Sequence, residues 1–237
     1  SCKGCVIMYD VMINDMSCYK LGIYTAERPS FPAPLKKYKE YEIPGKDGKL
    51  YQDLEVYEDI EVTIKFNYLT NKDKWHEIFR KCKKLFLSAK TLQLSDDVEY
   101  YHKIKKVEVG TNERNLFKIG RFEVVFTLDP YFYRIDGRKE HEISRIRYNQ
   151  FEIAKPIYKI KGEGICYLKV NGTNVKCNVG QNLTIDTDLR LCYKDDKTLK
   201  NTSIDADYDD LILKQGSNDI SITSGYDLKI IPNWRCI

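Results

Sequence analysis

From Ile60 to Tyr68 every second residue is large and apolar (Ile60, Val62, Ile64, Phe66, Tyr68), and those between are polar (Glu61, Thr63, Lys65, Asn67). Only an extended chain sends alternate side chains to opposite faces, so this period of two predicts a strand with one face in a core and the other in water. The period then lengthens. Trp75, Ile78, Phe79, Cys82, Leu85 and Phe86 recur at helical spacing opposite Lys74, Lys81 and Lys84. That pattern predicts an amphipathic helix capped by Asn71, and it is the one helix the sequence predicts with a full apolar stripe.

Alternation recurs on both sides of this helix. Tyr9, Val11 and Ile13 share a parity, Asn14-Asp15 is turn-like, and the chain resumes through Leu21 and Ile23, which is a hairpin pattern. Pro29, Pro32 and Pro34 each remove a backbone donor, so the stretch from Ala26 to Tyr38 reads as an extended edge or loop and not as a central strand. After the helix, Val98, Tyr100, His102 and Ile104 alternate, the loop "GTNERN" follows, and Phe122, Val124, Phe126 and Leu128 return. Phe117 and Ile119 are out of phase with Phe122, and Gly120 at the slip predicts a β-bulge. The hairpin from Val98 to Leu128 would be an exposed edge unless a second subunit or sheet covered it.

The charged stretch "RIDGRKEHEISR" after "DPYFY" marks a domain boundary, giving domains 1–137 and 138–237. The second half is strand and turn. Ile157 and Ile160 lie in one apolar segment. Cys166, Leu168 and Val170 alternate up to Asn171-Gly172, a hairpin signal, and Val175, Cys177 and Val179 return. Short runs centred on Leu183 and Ile185, Leu189 and Leu191, Leu211 and Leu213, Ile220 and Ile222, and Leu228 and Ile230 indicate a β-sandwich.

With 42% hydrophobic residues the 237-residue chain can build genuine cores. Its 39 basic and 35 acidic residues are interspersed, which argues against nucleic acid as a partner. The dense basic run "RKCKKLF" at 80–86 is the wet side of the amphipathic helix. No apolar run approaches the ~18 residues needed to cross a bilayer, and "SCKGCVIMYD" lacks a secretory stretch, so a soluble chain without membrane insertion is expected. The eight cysteines are too few and too irregular for a disulfide scaffold. Cys82, Cys166, Cys177 and Cys192 read as reduced, buried small hydrophobes.

None of the candidate chemical motifs is complete. Cys2-Lys3-Gly4-Cys5 has no second ligand pair for zinc and no strand before it for a redox helix, so it reads as a leader remnant. "DADYDD" at 205–210 has Asp210 where a calcium loop needs glycine and Gly216 where it needs glutamate. His76, His102 and His141 stand in unlike contexts, and only His141, between Glu140 and Glu142, has an acid-base setting. Gly162-Glu163-Gly164 meets Tyr167 where a nucleotide loop needs its third glycine. The glycosylation tripeptides at Asn171, Asn182 and Asn201 carry no weight without a signal peptide. No catalytic, cofactor-binding or metal-ligating residue is therefore expected, and no enzyme.

The stretch "YEIPGKDGKLY" at 41–51 compresses Pro44-Gly45 and Asp47-Gly48 into five positions, which predicts a tight reversal, either a turn held against a partner or the tip of an ordinary surface hairpin. Together with "YDVMIN", "RPSFPAP" and "DPYFY", it resembles the distal tail proteins of siphophages. The I-P-G-x-(D/N)-G-x-L signature of that family is filled by Ile43, Pro44, Gly45, Asp47, Gly48 and Leu50. In the second half "NQFEIAKPIYKIKGEG" resembles the family's opening segment, with Ala154, Pro156, Ile160, Gly162 and Gly164 in place. "LTIDTD" at 183–188 and "LKQGSNDISIT" at 213–223, with Gly216, Asn218 and Ile220, are similar to its later motifs. The resemblance runs from about Tyr9 to Ile231, departs from the pattern at Gln150-Phe151 where the family often has glycine, and leaves no room for an inserted carbohydrate-binding module.

The resemblance implies a mainly β fold: an N-terminal β-sandwich with one helix and a β-hairpin arm, then a C-terminal galectin-like β-sandwich. It implies a structural role at the virion tail tip, after synthesis in the bacterial host cytoplasm. A homo-hexameric ring would join the tail tube protein to the tail-associated hub protein, with receptor-binding components held outside. Pro44, Gly45, Asp47, Gly48 and Leu50, and in the second hairpin Asn112, Glu113 and Arg114, are then the candidate oligomer-interface residues. The competing reading is a carbohydrate-binding module for host cell-wall glycans, for which the second half offers Trp234 and Tyr158, Tyr167, Tyr193, Tyr208 and Tyr226. Most of those tyrosines fall in strand patterns, which favours packing.

Overall fold

The computed structural model describes residues 9–237 apart from Lys72, Leu116 and Phe117, and the Cys2-x-x-Cys5 motif lies outside these residues. The backbone divides into two compact units between Phe132 and Tyr133.

The first unit contains β1 (Val11–Ile13), β2 (Met16–Ser17), β3 (Ile23–Thr25), β4 (Lys36–Glu42), β5 (Lys49–Tyr57), β6 (Ile60–Leu69), α1 (Trp75–Leu87), β7 (Thr91–Leu94), β8 (Asp97–Val109), β9 (Glu113–Asn115) and β10 (Ile119–Arg134), the last running on across the boundary. Its main sheet has the order β2-β1-β7-β8-β10-β6-β3, with β9 also paired to β10. β6 is the strand its alternation predicts: Ile60, Val62, Ile64, Phe66 and Tyr68 are buried and the residues between them are not. α1 lays Cys82 and Phe86 on that face, where Phe66, Phe86 and Phe122 meet with ring centroids 4.7–5.7 Å apart.

Two local expectations are corrected and a third is decided. The helix cap is Lys74, whose N–H donates to the Asn71 carbonyl at 3.1 Å; the Asn71 side chain does not cap it. β10 shows no bulge at Gly120, since its register against β6 is unbroken from Ile119↔Leu69 to Leu128↔Ile60. Gly120 simply occupies the buried parity, because the Tyr68 ring fills the space a side chain would take. The condition set for the hairpin from Val98 to Leu128 is met, because neighbouring strands cover it: β8 lies between β7 and β10, and β10 between β8 and β6. Within β8 the buried residues are Tyr101, His102 and Ile104, while Val98 is exposed.

The second unit holds a short helix that no apolar period announced, α2 (Ile143–Ile146), followed by β11 (Tyr148–Asn149), β12 (Ile157–Val170), β13 (Thr173–Asp186), β14 (Leu191–Tyr193), β15 (Ile204–Asp205), β16 (Gly216–Ser217), β17 (Ile220–Ile222) and β18 (Asp227–Ile231). β12 and β13 form a fourteen-pair hairpin around Asn171-Gly172. Both turn residues have positive φ, 49° and 94°, as a two-residue primed turn requires. β18 pairs with residues 157–161 of β12 and β17 with residues 168–170. Between these segments Gly162 and Gly164 adopt positive φ, and Tyr226 lies across them, its Oη donating to the Glu163 carbonyl at 2.6 Å. The core comprises Tyr158, Ile160, Cys166, Leu168, Val170, Val175, Cys177, Val179, Leu183 and Ile185, each contributing roughly 1.5–3 kcal/mol by burial for the larger side chains. Tyr158 replaces Ile157 in this face, and Leu189 is exposed in a turn instead of sitting in a strand. Cys82, Cys166, Cys177 and Cys192 are buried free thiols, as their apolar settings predict.

Candidate assembly surface

Among the described residues β4 and β5 pair only with each other, in a sheet of two strands. Every residue from Lys36 to Val56 is exposed on this hairpin, so both faces are in water. The stretch from Pro44 to Gly48 forms its tip. Lys46 N–H donates to the Ile43 carbonyl at 3.1 Å, and Gly45 has φ of 80°, which with Pro44 before it gives a type II turn. Gly48 at φ 77° makes the second reversal. The Pro-containing residues 26–35 form no strand and lead into this arm.

The two faces differ in chemistry. One carries Tyr38, Glu40, Glu42, Lys49, Tyr51 and Asp53. Lys36 bonds Asp53 at 2.9 Å and Lys49 bonds Glu40 at 2.6 Å, contacts that raise both lysine pKa values and lower that of Asp53, which also accepts the Glu55 N–H. The Tyr38 and Tyr51 rings meet edge to face at 6.4 Å. The other face carries Lys39, Tyr41, Leu50 and Gln52, with Tyr41 directly opposite Leu50. Lys39 Nζ sits 4.9 Å from the Tyr41 ring centroid. Leu35, Leu50, Leu54 and Val56 add exposed apolar surface at 44–68% accessibility. The sequence reading located the tip, with a surface hairpin as one of its two alternatives, but gave no bounds for the two strands that carry it. Their signal was the Lys/Glu and Tyr spacing on either side of the two glycine turns.

Asn112, Glu113 and Arg114 lie elsewhere in the first unit. Asn112 Nδ2 donates to Tyr68 Oη at 2.8 Å, and the Arg114 guanidinium sits 5.7 Å from the Trp75 ring, so this loop is tied to β6 and to the start of α1. Burial raises the Tyr68 pKa. Glu113 opposes Arg121 and lines a groove of about 410 Å³ on the outer face of β6 and β10, together with Lys65, Asn67 and Glu123.

The motifs set aside on sequence grounds have structural employment. In the acidic cluster, Asp207 accepts the Asp209 N–H at 3.1 Å, and Arg190 pairs with Asp209 and Asp207. Among the described residues no group of three or more His, Cys, Asp or Glu is placed to hold a metal. His141 Nε2 lies 2.9 Å from the Asp136 carbonyl. His102 is buried between Phe31 and Phe132, with ring centroids at 4.9 and 4.4 Å, and its Nδ1 has no partner. Burial pushes its pKa down to about 4, against a smaller opposing pull from Asp129. Of the aromatic residues that a sugar platform could use, Tyr158 and Trp234 are buried and Tyr193, Tyr208 and Tyr226 half-buried, leaving Tyr167 exposed at 47%.

No family model matches the chain, and no curated protein matches its sequence. In fold it is similar to the distal tail proteins of phages. The crystal structure of SPP1 Dit (gp 19.1), described as a paradigm of the hub adsorption apparatus in phages infecting Gram-positive bacteria, matches with a TM-score of 0.63 and 10% identity over 94% of this chain and 97% of that chain.

Proposed function

We propose that this chain is a structural component of a siphophage tail tip that self-assembles into a ring of six, joining the tail tube to the hub and carrying receptor-binding components outside. The N-terminal domain, residues 1–137, forms the ring, and the galectin-like C-terminal domain, residues 138–237, lies on its periphery. The observation that carries this reading is the arm. A lone two-stranded hairpin is marginal in water, because it has ladder hydrogen bonds but no core. An arm of this length with apolar residues on both faces gains its stability when another surface covers it. Fold similarity to SPP1 Dit, a hub adsorption protein, supports the same role. The reading requires no chemical step.

Native mass spectrometry of the full chain beside a variant in which Lys37–Val56 is replaced by an Asn-Gly turn tests it. Six-copy particles for the parent and monomers of unchanged melting temperature for the variant are expected. A parent chain that stays monomeric at the highest attainable concentration would overturn the reading.

A further inference from the structure

The arm is joined to its unit by two legs of unlike construction. The second leg is short: β5 ends at Tyr57, whose ring meets that of Tyr131 on β10 edge to face at 6.0 Å, and β6 begins at Ile60. Between them Asp59 is held by Lys105 of β8 at 2.5 Å. The first leg, residues 26–35, contains no strand, and Pro29, Pro32 and Pro34 deprive it of backbone donors. Its apolar anchor is Phe31, which is half-buried and lies nearly parallel to the imidazole of His102, with 16° between the planes and 4.9 Å between centroids. Where this leg meets the second, Glu58 N–H donates to the Leu35 carbonyl at 2.8 Å and ties the two together.

The seat of that anchor depends on charge. His102 is 2% exposed, and among the described residues its Nδ1 meets no partner. With the proton on Nε2 a neutral ring leaves no donor stranded there. A protonated ring carries N–H on both nitrogens, and Nδ1–H becomes a buried donor on a buried cation with nothing to accept it. Attraction between that cation and the Phe31 face recovers only part of the lost hydration. Neighbouring charges do not supply the missing acceptor. Asp129 on β10 favours the charged ring, but its carboxylate is 3.4 Å from the Lys105 ammonium, which also holds Asp59. On the first leg Glu27 is paired with Lys65, and Arg28 lies near Asp96 and over the Tyr9 ring. On β7 the residue opposite His102 is Leu92. A protonated ring therefore has to reach water. Of the two rings that enclose it, Phe132 belongs to β10 inside the main sheet, whereas Phe31 rides on a leg without a ladder, so Phe31 is the one that yields.

We infer that the Phe31–His102 stack is an acid-opened clasp on the root of the arm: a proton taken by His102 from water expels Phe31, the first leg comes away, and the arm turns about residues 58–59. Such a clasp works in a single chain, whether or not six copies assemble.

Fluorine NMR of the full chain with 4-fluorophenylalanine in place of Phe31 reads the clasp directly, and amide exchange at Glu58 reads the joint between the legs. In the parent the fluorine resonance should move from a packed to a water-exposed position with a midpoint near pH 4. Over the same interval Glu58 exchange, corrected for its intrinsic rate, should rise at least about tenfold while the amides of β6 stay protected. His102→Phe keeps an aromatic seat without a titrating proton and should hold both signals at their neutral values well below that midpoint. Phe31→Ala should give the fast Glu58 exchange already at neutral pH. A fluorine signal that stays packed in acid would overturn the clasp. So would a His102→Phe chain that opens over the same interval as the parent, since carboxylates such as Asp129 would then suffice. Loss of β6 protection together with the Phe31 signal would also overturn it, because the unit would be unfolding as a whole, and slow Glu58 exchange in Phe31→Ala would remove Phe31 as the anchor.

Discussion

The Tyr68 ring occupies the place of a side chain at position 120: a Cβ on Gly120 would lie 2.2 Å from Tyr68 Cζ. Tyr68 cannot swing away without losing its hydrogen bond to Asn112. Gly120→Ala should therefore destabilise the first unit by about 2–3 kcal/mol, read as a lower urea midpoint at unchanged slope. His102 has the opposite character, being tolerated only while neutral. Its folded pKa, about 4, lies below the ordinary value of 6.5, so the unfolded chain binds its proton first. The stability that the neutral imidazole allows is complete above pH 6.5 and falls away as pH drops through 4, by up to about 1.4 kcal/mol per pH unit. Asp129 on β10 opposes this by favouring the charged ring. His102→Phe keeps the stack with Phe31 and Phe132 and should flatten that acid slope by one proton; a variant as acid-sensitive as the parent would remove His102 from the account. In the second unit Asn218 is buried, donates to the Lys214 and Gly216 carbonyls, and accepts from Lys214 N–H and Asn171 Nδ2. Asn218→Ala strands these groups and should cost about 2–3 kcal/mol in chemical denaturation.

At the scale of elements, two hairpins of similar sequence logic have different fates. β12 and β13 alternate so that one face enters a core, whereas β4 and β5 alternate two faces that both stay in water. The tip of the arm depends on Gly45 and Gly48, whose positive φ a β-branched residue resists. Gly45→Val with Gly48→Val should deform the tip and weaken self-association in light scattering. The melting temperature should move by no more than about 1 °C, because the arm buries nothing in either core. A large fall in melting temperature would show that the arm supports the fold, and unchanged association would remove the tip from the assembly surface.

For the whole molecule, each unit has its own buried cluster, so a fragment of residues 133–237 should unfold cooperatively by itself in calorimetry. A fragment without a transition would show that the second core needs the first unit's chain. The strong periods were legible before any coordinates: β6, the stripe of α1, and the β12–β13 hairpin with its Asn-Gly turn, because burial on one face imposes a pattern on neighbouring residues. The tip at Pro44–Gly48 was equally legible, since turn chemistry is local. What the sequence could not distinguish was a glycine that bulges from a glycine that yields to a ring, as at Gly120, because the Tyr68 ring comes from a neighbouring strand far away in sequence. Nor could it tell that the hairpin from Val98 to Leu128 lies inside a sheet while residues 36–57 stand outside one. Alternation reports that a strand has two unlike faces; which strand lies beside it is set by long-range pairing, and only the tertiary structure decides that.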